Sequence, residues 1–269
     1  MKKLITFFAL LAFAVTMHAK LVTKTVPYEH DGVKLEGYLA YESSGKGLRP
    51  GIVVFPEWWG LNAYTRNRVE ELAKLGYVAF AGDMYGAGVV TEEADKARDL
   101  ATPFYGKPLM ATRARAALDQ LVKTGLVDEN RLVAIGYCFG GTVAQALAYS
   151  GAPLIGVVTF HAGLIPAPVD SLEKNHPKFL ILHGALDPMS SPDDVRAFKQ
   201  SLDVAKVDYQ FIVYSGAVHA FTNPDADRLC ALNGLRGIGY NEPAARRSWQ
   251  QMQIFFDEIF GKNGKGKKK

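Results

Sequence analysis

The segment that most constrains the fold runs from residue 132 to residue 148, where an apolar stretch meets a cysteine flanked by glycines. Residues 132–137 are apolar and partly β-branched, which predicts a buried strand. A G-x-C-x-G turn places Cys138 between Gly136 and Gly140, and the small side chains of residues 142–148 predict a helix. A strand, a sharp turn and a helix in this order are typical of a nucleophile elbow. The two glycines leave room for the strained backbone of the central residue.

The position of Cys138 predicts a reactive thiol. Backbone N–H groups and the positive end of the helix dipole both favour a thiolate at the start of a helix. A lone cysteine is more commonly a small buried side chain, and the motif alone leaves that alternative open. An elbow nucleophile also needs an acid and then a histidine, each on a loop after a later strand.

Both partners occur in this order. Residues 178–184 predict an apolar strand that leads to Asp187, and Pro188 prevents the strand from continuing. Residues 209–214 predict another strand, which leads to His219. Taken singly, an aspartate before proline is ordinary turn chemistry and a lone histidine is usually structural. Three such residues at three strand exits predict a Cys138–His219–Asp187 catalytic triad.

The loop after the early strand 51–55 supplies further candidates. Elbow enzymes stabilise an oxyanion with two backbone N–H groups, which here are predicted to be those of Phe139 and Trp58. Glu57 is either a loop carboxylate held by backbone amides or a second carboxylate that controls when the thiol ionises. Aromatic side chains at strand ends are candidate pocket walls, although such side chains are also common in cores. These candidate walls are Trp59, Tyr85, Tyr137 and His161.

The length and the two ends of the chain indicate one exported domain. The chain has 269 residues, 48% of them apolar, which is enough for one large core. Residues 1–19 combine a basic start, an apolar stretch and a terminal Ala19, which predicts a cleavable signal peptide before a domain over 20–261. The apolar stretch is short for a membrane span of ~20 residues, so an uncleaved anchor is the weaker alternative. We expect a secreted protein, most simply periplasmic, without a stable membrane anchor.

The formal net charge of +4 comes from the ends of the chain. Lysines of the predicted leader and of a predicted disordered Lys/Gly tail, residues 262–269, outweigh a small net negative charge on the body. Nothing in the sequence resembles a nucleic-acid-binding face. The histidines at 161, 183 and 219 lack the spacing of a metal site, so we predict neither a metal nor an organic cofactor. The expected partner is a small-molecule substrate bound by a monomer.

The two cysteines leave a second function open. In an oxidising compartment Cys138 and Cys230 could form a disulfide. Such a bridge requires Cα atoms within ~7 Å of each other, and the sequence does not place Cys230. With that bridge, or with an idle thiol, the chain would be a non-catalytic ligand-binding protein.

The order of predicted elements favours an α/β fold. Residues 22–28 and 33–41 predict an antiparallel hairpin around the turn at 30–32. Strands are predicted at 51–55, 77–80 and 154–160, and helices at 62–75, 92–100, 107–124, 192–202 and 248–260. This alternation predicts a mostly parallel twisted sheet flanked by helices, with the active-site loops at its carboxyl edge.

Five motifs in this order resemble the dienelactone hydrolase family of α/β-hydrolases. They are P-E-W-W-G at 56–60, G-D-M-Y-G at 82–86, G-Y-C-F-G-G at 136–141, H-G-A-L-D-P at 183–188 and V-H-A-F at 218–221. The resemblance covers residues 22–261 and implies the α/β-hydrolase fold and a carboxymethylenebutenolidase-like activity on an ester or lactone. It also implies that Cys138, His219 and Asp187 form the triad. Glu57 matches the family glutamate that contacts the resting thiol and accepts its proton when substrate binds.

The chain departs from the family pattern where the substrate is held. The enzymes that open dienelactone bind its carboxylate with two arginines, one after the D-x-Y segment and one shortly after the histidine. Residues 85–88 and 221–224 contain no arginine. Other arginines remain candidates for this role, namely Arg113, Arg115, Arg228 and Arg236. A neutral ester or lactone therefore fits the sequence as well as an anionic lactone does.

Overall fold

The structure, a computed structural model, describes residues 20–44, 47–169, 172 and 175–261. The predicted signal peptide at 1–19 and the predicted tail at 262–269 lie outside the described residues, and both stay predictions. No helix in the described ranges is long and apolar enough to cross a bilayer.

Within these ranges, eight strands form one sheet in the order β1-β2-β4-β3-β5-β6-β7-β8. The strands are β1 (Leu21–His30), β2 (Val33–Glu42), β3 (Arg49–Phe55), β4 (Val78–Ala81), β5 (Val127–Tyr137), β6 (Gly156–Phe160), β7 (Lys178–Gly184) and β8 (Tyr209–Tyr214). Strand β2 runs antiparallel to β1 and β4, and all other neighbouring pairs are parallel. The predicted fold class and the N-terminal antiparallel hairpin are therefore confirmed.

The helices cover both faces of this sheet. They are α1 (Ala63–Lys74), α2 (Ala94–Ala101), α3 (Pro108–Lys123), α4 (Phe139–Tyr149), α5 (Pro192–Val204), α6 (Ala226–Leu232) and α7 (Glu242–Phe260), with a 3-10 helix at Thr102–Phe104. One core packs β3 residues Val53 and Phe55 against α3, α4 and α5. The other packs Ile52 and Val54 against α1 and α7. Alternate residues of one buried strand thus serve opposite faces.

Two helices begin earlier than the sequence pattern predicts. Helix α4 begins at Phe139 rather than residue 142, because Gly140 and Gly141 form its first turn directly after the elbow. Helix α7 begins at Glu242 rather than residue 248, because the Asn241 side chain accepts a hydrogen bond from the Ala244 N–H. A polar N-cap followed by proline is a strong start signal that the apolar pattern alone did not include.

Candidate active site

Cys138 occupies a strained turn between β5 and α4. Its backbone has φ 53° and ψ −119°, a positive φ that few residues other than glycine adopt. A Cβ added at Gly136 would overlap the Gly140 carbonyl, and one at Gly140 would overlap the Phe55 carbonyl. Only glycine therefore fits at both positions. The same close approach brings the start of α4 against the end of β3.

His219 and Asp187 form a buried pair on the loops after β8 and β7. Nδ1 of His219 lies 2.9 Å from Oδ2 of Asp187, and the two side chains are 6% and 0% exposed. The other carboxylate oxygen accepts a hydrogen bond from the Met189 N–H at 2.9 Å. The His219 N–H donates to the Gly237 carbonyl, and the His219 carbonyl accepts from the Gly239 N–H. These bonds fix both the imidazole and the backbone that carries it.

The surroundings of His219 favour its protonated form. Burial alone lowers the pKa of His219, but the charge of Cys138 and hydrogen bonds with Asp187 and Cys138 outweigh it and raise that pKa to about 10. Because Nδ1 is bonded to Asp187, Nε2 is the nitrogen left for the thiol. The three predicted triad residues are therefore brought together in this structure.

Glu57 follows β3 and is buried, with 2% of its surface exposed. Its Oε2 accepts a hydrogen bond from Nδ2 of Asn223 at 2.6 Å, while Oε1 has no partner in the described part of the chain. Burial raises the pKa of Glu57 to about 7. The Asn223 hydrogen bond and the charges of His219 and Arg68 lower this pKa, but by less than burial raises it. None of the described hydrogen bonds joins Glu57 to Cys138, although the resemblance implied direct contact. Its position next to Asn223 had no sequence signal, because 166 residues separate the two.

The two predicted oxyanion donors flank the elbow. The N–H groups of Trp58 and Phe139 donate to no acceptor within the described ranges. Phe139 is the first residue of α4, where helical N–H groups have no partner in their own helix. The hydroxyl of Tyr85 donates to the Trp58 carbonyl at 3.0 Å, which anchors the loop after β3. Both amides are thus available to an incoming oxygen.

The predicted pocket walls separate into two groups. Tyr85 is half-buried and stacks on Phe139, with ring centroids 5.8 Å apart, so it stays a candidate wall. Trp59 is buried in a small cluster with residues of α2 and α6. The structure places Tyr137 and His161 in the core instead of at an open surface. The Tyr137 ring stacks on Phe160 at 4.7 Å, since strand alternation turns it to the face opposite Cys138.

His161 has no room for a substrate beside it. Its Nε2 is hydrogen-bonded to Oγ1 of Thr222 at 2.7 Å, and the residue is fully buried. Burial lowers the pKa of His161 well below its ordinary value, so the ring is neutral. Its ring lies edge-on to that of His219 at 5.4 Å. His161 therefore packs against the imidazole of His219.

Tyr105 was not predicted from the sequence. It follows the 3-10 helix, and its ring meets that of Phe139 at 5.7 Å. Half of the residue, 51%, is exposed. Burial and the charge of Cys138 both raise the pKa of its phenol above the ordinary value. Two adjacent aromatics before Gly106 were the only sequence signal, and such pairs are more often core residues.

The remaining candidates are placed as follows. Three of the four arginines have partners elsewhere in the structure, namely Arg113, Arg115 and Arg228. Arg236 is exposed and precedes Gly237, which hydrogen-bonds with His219.

Cys138 and Cys230 are both free thiols, and Cys230 donates to the Leu235 carbonyl. No group of side chains suited to a metal ion occurs in the part of the chain described.

The elbow after β5, the acid after β7 and the histidine after β8 define an α/β-hydrolase arrangement. The chain belongs to the dienelactone hydrolase family, whose model matches residues 35–260. It is therefore a hydrolase of this family.

Individual relatives support the assignment. A protein of Aquifex aeolicus (strain VF5), provisionally named carboxymethylenebutenolidase, is 30% identical over 236 residues, which cover 86% of this chain and 96% of that protein. The solved structure of P91, a dienelactone hydrolase-like promiscuous phosphotriesterase from metagenomic libraries, is 35% identical with a TM-score of 0.83, covering 89% of this chain and 98% of that one. The structure named m3DLH is 38% identical with a TM-score of 0.84, covering 90% and 99%.

Proposed function

We propose that this chain hydrolyses a small carboxylic ester or lactone through a Cys138–His219–Asp187 triad and a thioester intermediate. The observation that carries the proposal is the 2.9 Å His219–Asp187 hydrogen bond, made between buried groups of two loops beside the elbow thiol. A histidine that only stabilised the core would not need a carboxylate on one nitrogen and a thiol on the other. The protein's membership in a hydrolase family supports the same conclusion.

The first half-reaction forms the acyl-enzyme. Proton transfer from Sγ of Cys138 to Nε2 of His219 gives the thiolate–imidazolium pair that the raised pKa of His219 favours, and the thiolate attacks the substrate carbonyl carbon. A C–S bond forms as the carbonyl π electrons move to oxygen, and the N–H groups of Trp58 and Phe139 donate to this oxyanion. The oxyanion then collapses, the ester C–O bond breaks, and Nε2–H protonates the departing alkoxide. A lactone opens in the same step, and its alcohol stays attached to the acyl group.

The second half-reaction restores the thiol. Nε2 removes a proton from water as the water oxygen attacks the thioester carbon. The resulting oxyanion collapses, the C–S bond breaks, and Nε2–H returns its proton to the departing Sγ as the carboxylic acid product leaves. Asp187 accepts the Nδ1–H hydrogen bond throughout, which fixes the tautomer and stabilises the imidazolium.

Glu57 affects the charge balance of His219. A carboxyl group with a pKa of about 7 changes charge near neutral pH. Its charge acts on His219, so ionised Glu57 stabilises the imidazolium that the mechanism requires. We assign Glu57 this electrostatic role, with its proton exchanged on the oxygen that Asn223 does not bind.

An uncharged substrate fits the surroundings of the thiol. Apart from His219, the rings packed around Phe139 at the elbow are neutral, and they include Tyr85 and Tyr105. Phosphotriester hydrolysis is the second candidate function, favoured by the 35% identity to P91 over nearly its whole length. A triester is also a neutral electrophile that develops charge on an oxygen during attack.

We also propose periplasmic export, which predicts a mature protein beginning at residue 20.

The test is turnover by Cys138→Ala against a panel of 4-nitrophenyl esters, lactones and one neutral phosphotriester. We expect complete loss of activity on the best substrate, while Cys230→Ala, the matched cysteine control, retains the wild-type rate. Turnover by Cys138→Ala equal to wild type would contradict the triad. Two free thiols in the denatured, unreduced protein are expected, and a Cys138–Cys230 bridge would support the binding-protein alternative.

A further inference from the structure

Four aromatic rings surround the start of α4, and two of them carry hydroxyl groups. Tyr85, Phe104 and Tyr105 each lie within 6.0 Å of the Phe139 ring, centroid to centroid. Phe139 directly follows the nucleophile, so this cluster lies beside Cys138. The two tyrosines differ in what their hydroxyls do.

The Tyr85 hydroxyl is hydrogen-bonded within the protein. It donates to the Trp58 carbonyl at 3.0 Å, and the residue is half-buried. Removing this hydroxyl would release the loop that carries one oxyanion donor. Tyr85 is therefore a positioning residue for the Trp58 N–H.

The Tyr105 hydroxyl differs from that of Tyr85 in its hydrogen bonding. It has no hydrogen-bond partner among the described residues, and the residue is 51% exposed. Its ring packs against Phe139, the residue that follows the nucleophile, with centroids 5.7 Å apart, so the phenol lies beside the elbow. The phenol remains protonated across the working pH range, since burial and the charge of Cys138 both raise its pKa. It is a neutral hydrogen-bond donor beside the elbow.

The acceptor for this donor follows from the mechanism. The reacting carbonyl oxygen is already bound by two backbone N–H groups, and the alkoxide leaves after the first half-reaction. The acyl group stays bonded to Sγ from the first attack until water cleaves the thioester. We propose that Tyr105 is a specificity-determining residue whose hydroxyl donates a hydrogen bond to an oxygen on the acyl portion of the substrate, beyond the reacting carbonyl. This inference rests on the proposed thioester mechanism and assigns its substrate class as esters or lactones of oxygen-bearing acids.

Isosteric esters test this contact. The 4-nitrophenyl esters of pentanoic, ethoxyacetic and 3-methoxypropanoic acid share one leaving group and differ only in whether a chain carbon is replaced by oxygen. The measured quantity is kcat/KM for each ether ester relative to the pentanoate, divided by the same ratio for hydroxide-catalysed hydrolysis. We expect Tyr105→Phe to lower this ratio about five- to tenfold for at least one ether ester, the size of one neutral hydrogen bond. The pentanoate rate and the Tm should stay at the wild-type values.

Two variants separate this contact from a structural effect. Tyr149→Phe removes a hydroxyl that bonds to Ile165, at the opposite end of α4, and should leave every ratio unchanged. Tyr85→Phe should lower all three rates equally, because it acts through the Trp58 N–H. An unchanged ratio for both ether esters in Tyr105→Phe would overturn the proposal, even if all rates fell together. Where turnover is slow, the same ratios are read from Cys138 acylation, and failure of every ester to acylate Cys138 would contradict the proposed function itself.

Discussion

Asp187 and Glu57 are both buried carboxyl groups at the carboxyl edge of one sheet, and both act on His219, yet their hydrogen bonding differs. Each oxygen of Asp187 has a donor, one from the His219 ring and one from a backbone N–H. Glu57 has a single amide donor from Asn223, and its other oxygen is buried without a partner. In the proposed mechanism Asp187, held by two donors, orients the base His219. Burial with one donor gives a carboxyl group that titrates near neutral pH.

The largest expected effect belongs to the fixed carboxylate. Asp187→Asn should lower kcat/KM by about 10³-fold or more, because an amide cannot hold the Nδ1–H tautomer or stabilise the imidazolium. The measurement is steady-state kinetics on the best ester, with Tm confirming the fold. Asp225→Asn, which alters an exposed carboxylate paired with Arg228, is the matched control and should change little. An Asp187→Asn variant with more than a tenth of the activity would show that the pair is structural.

The second effect is on stability. The folded pKa of Glu57 lies above its unfolded value of 4.5, at about 7, so the folded protein binds more protons than the unfolded chain between these values. Stability therefore falls as pH rises across that window. Glu57→Gln has no proton to lose, so its stability relative to wild type should rise by about 2–3 kcal/mol from pH 5 to pH 8. Urea unfolding at both pH values measures the difference, and equal gains at the two would refute the titration.

A smaller effect is expected on activity. Glutamine resembles the neutral carboxylic acid, so Glu57→Gln should match wild type at pH 5.5, where Glu57 is protonated. At pH 8 it should be about tenfold slower, because the charge that stabilises the His219 imidazolium is missing. The check is the pH profile of kcat/KM, which should lose its acid limb near pH 7. A variant slowed equally at both pH values would instead indicate a packing defect.

The smallest effect is a shift of that acid limb. Asn223→Asp places a second carboxyl on the Glu57 side chain, and like charges disfavour ionisation, so the limb should move up by about one pH unit. Asn67 and Asn223 both line a cleft of about 470 Å³, but only Asn223 is hydrogen-bonded to Glu57. Asn67→Asp therefore adds the same charge to the cleft without placing it on the Glu57 side chain. The limb should not move in this control. Equal shifts in the two variants would mean that general charge, and not the hydrogen bond, sets the limb.

The sequence predicts the fold and the main site candidates because both depend on local patterns. Cys138, Asp187 and His219 each follow an apolar strand, and parallel strands bring their carboxyl ends to one edge of the sheet. The same periodicity could have placed Tyr137 correctly, since the residue before Cys138 must face the other way. Asn223 and Tyr105 lie in irregular segments without a periodic signal. Their positions depend on tertiary packing, which sequence spacing does not encode.

The central claim is that Cys138 carries the acyl group during hydrolysis. The direct measurement is rapid mixing with an excess of a 4-nitrophenyl ester, acid quench, and intact-mass and peptide mass spectrometry. The account predicts a mass increase equal to one acyl group, located on the peptide that contains Cys138 and absent in Cys138→Ala. Product release with no label on any peptide at any quench time, or a label on another residue, would contradict it.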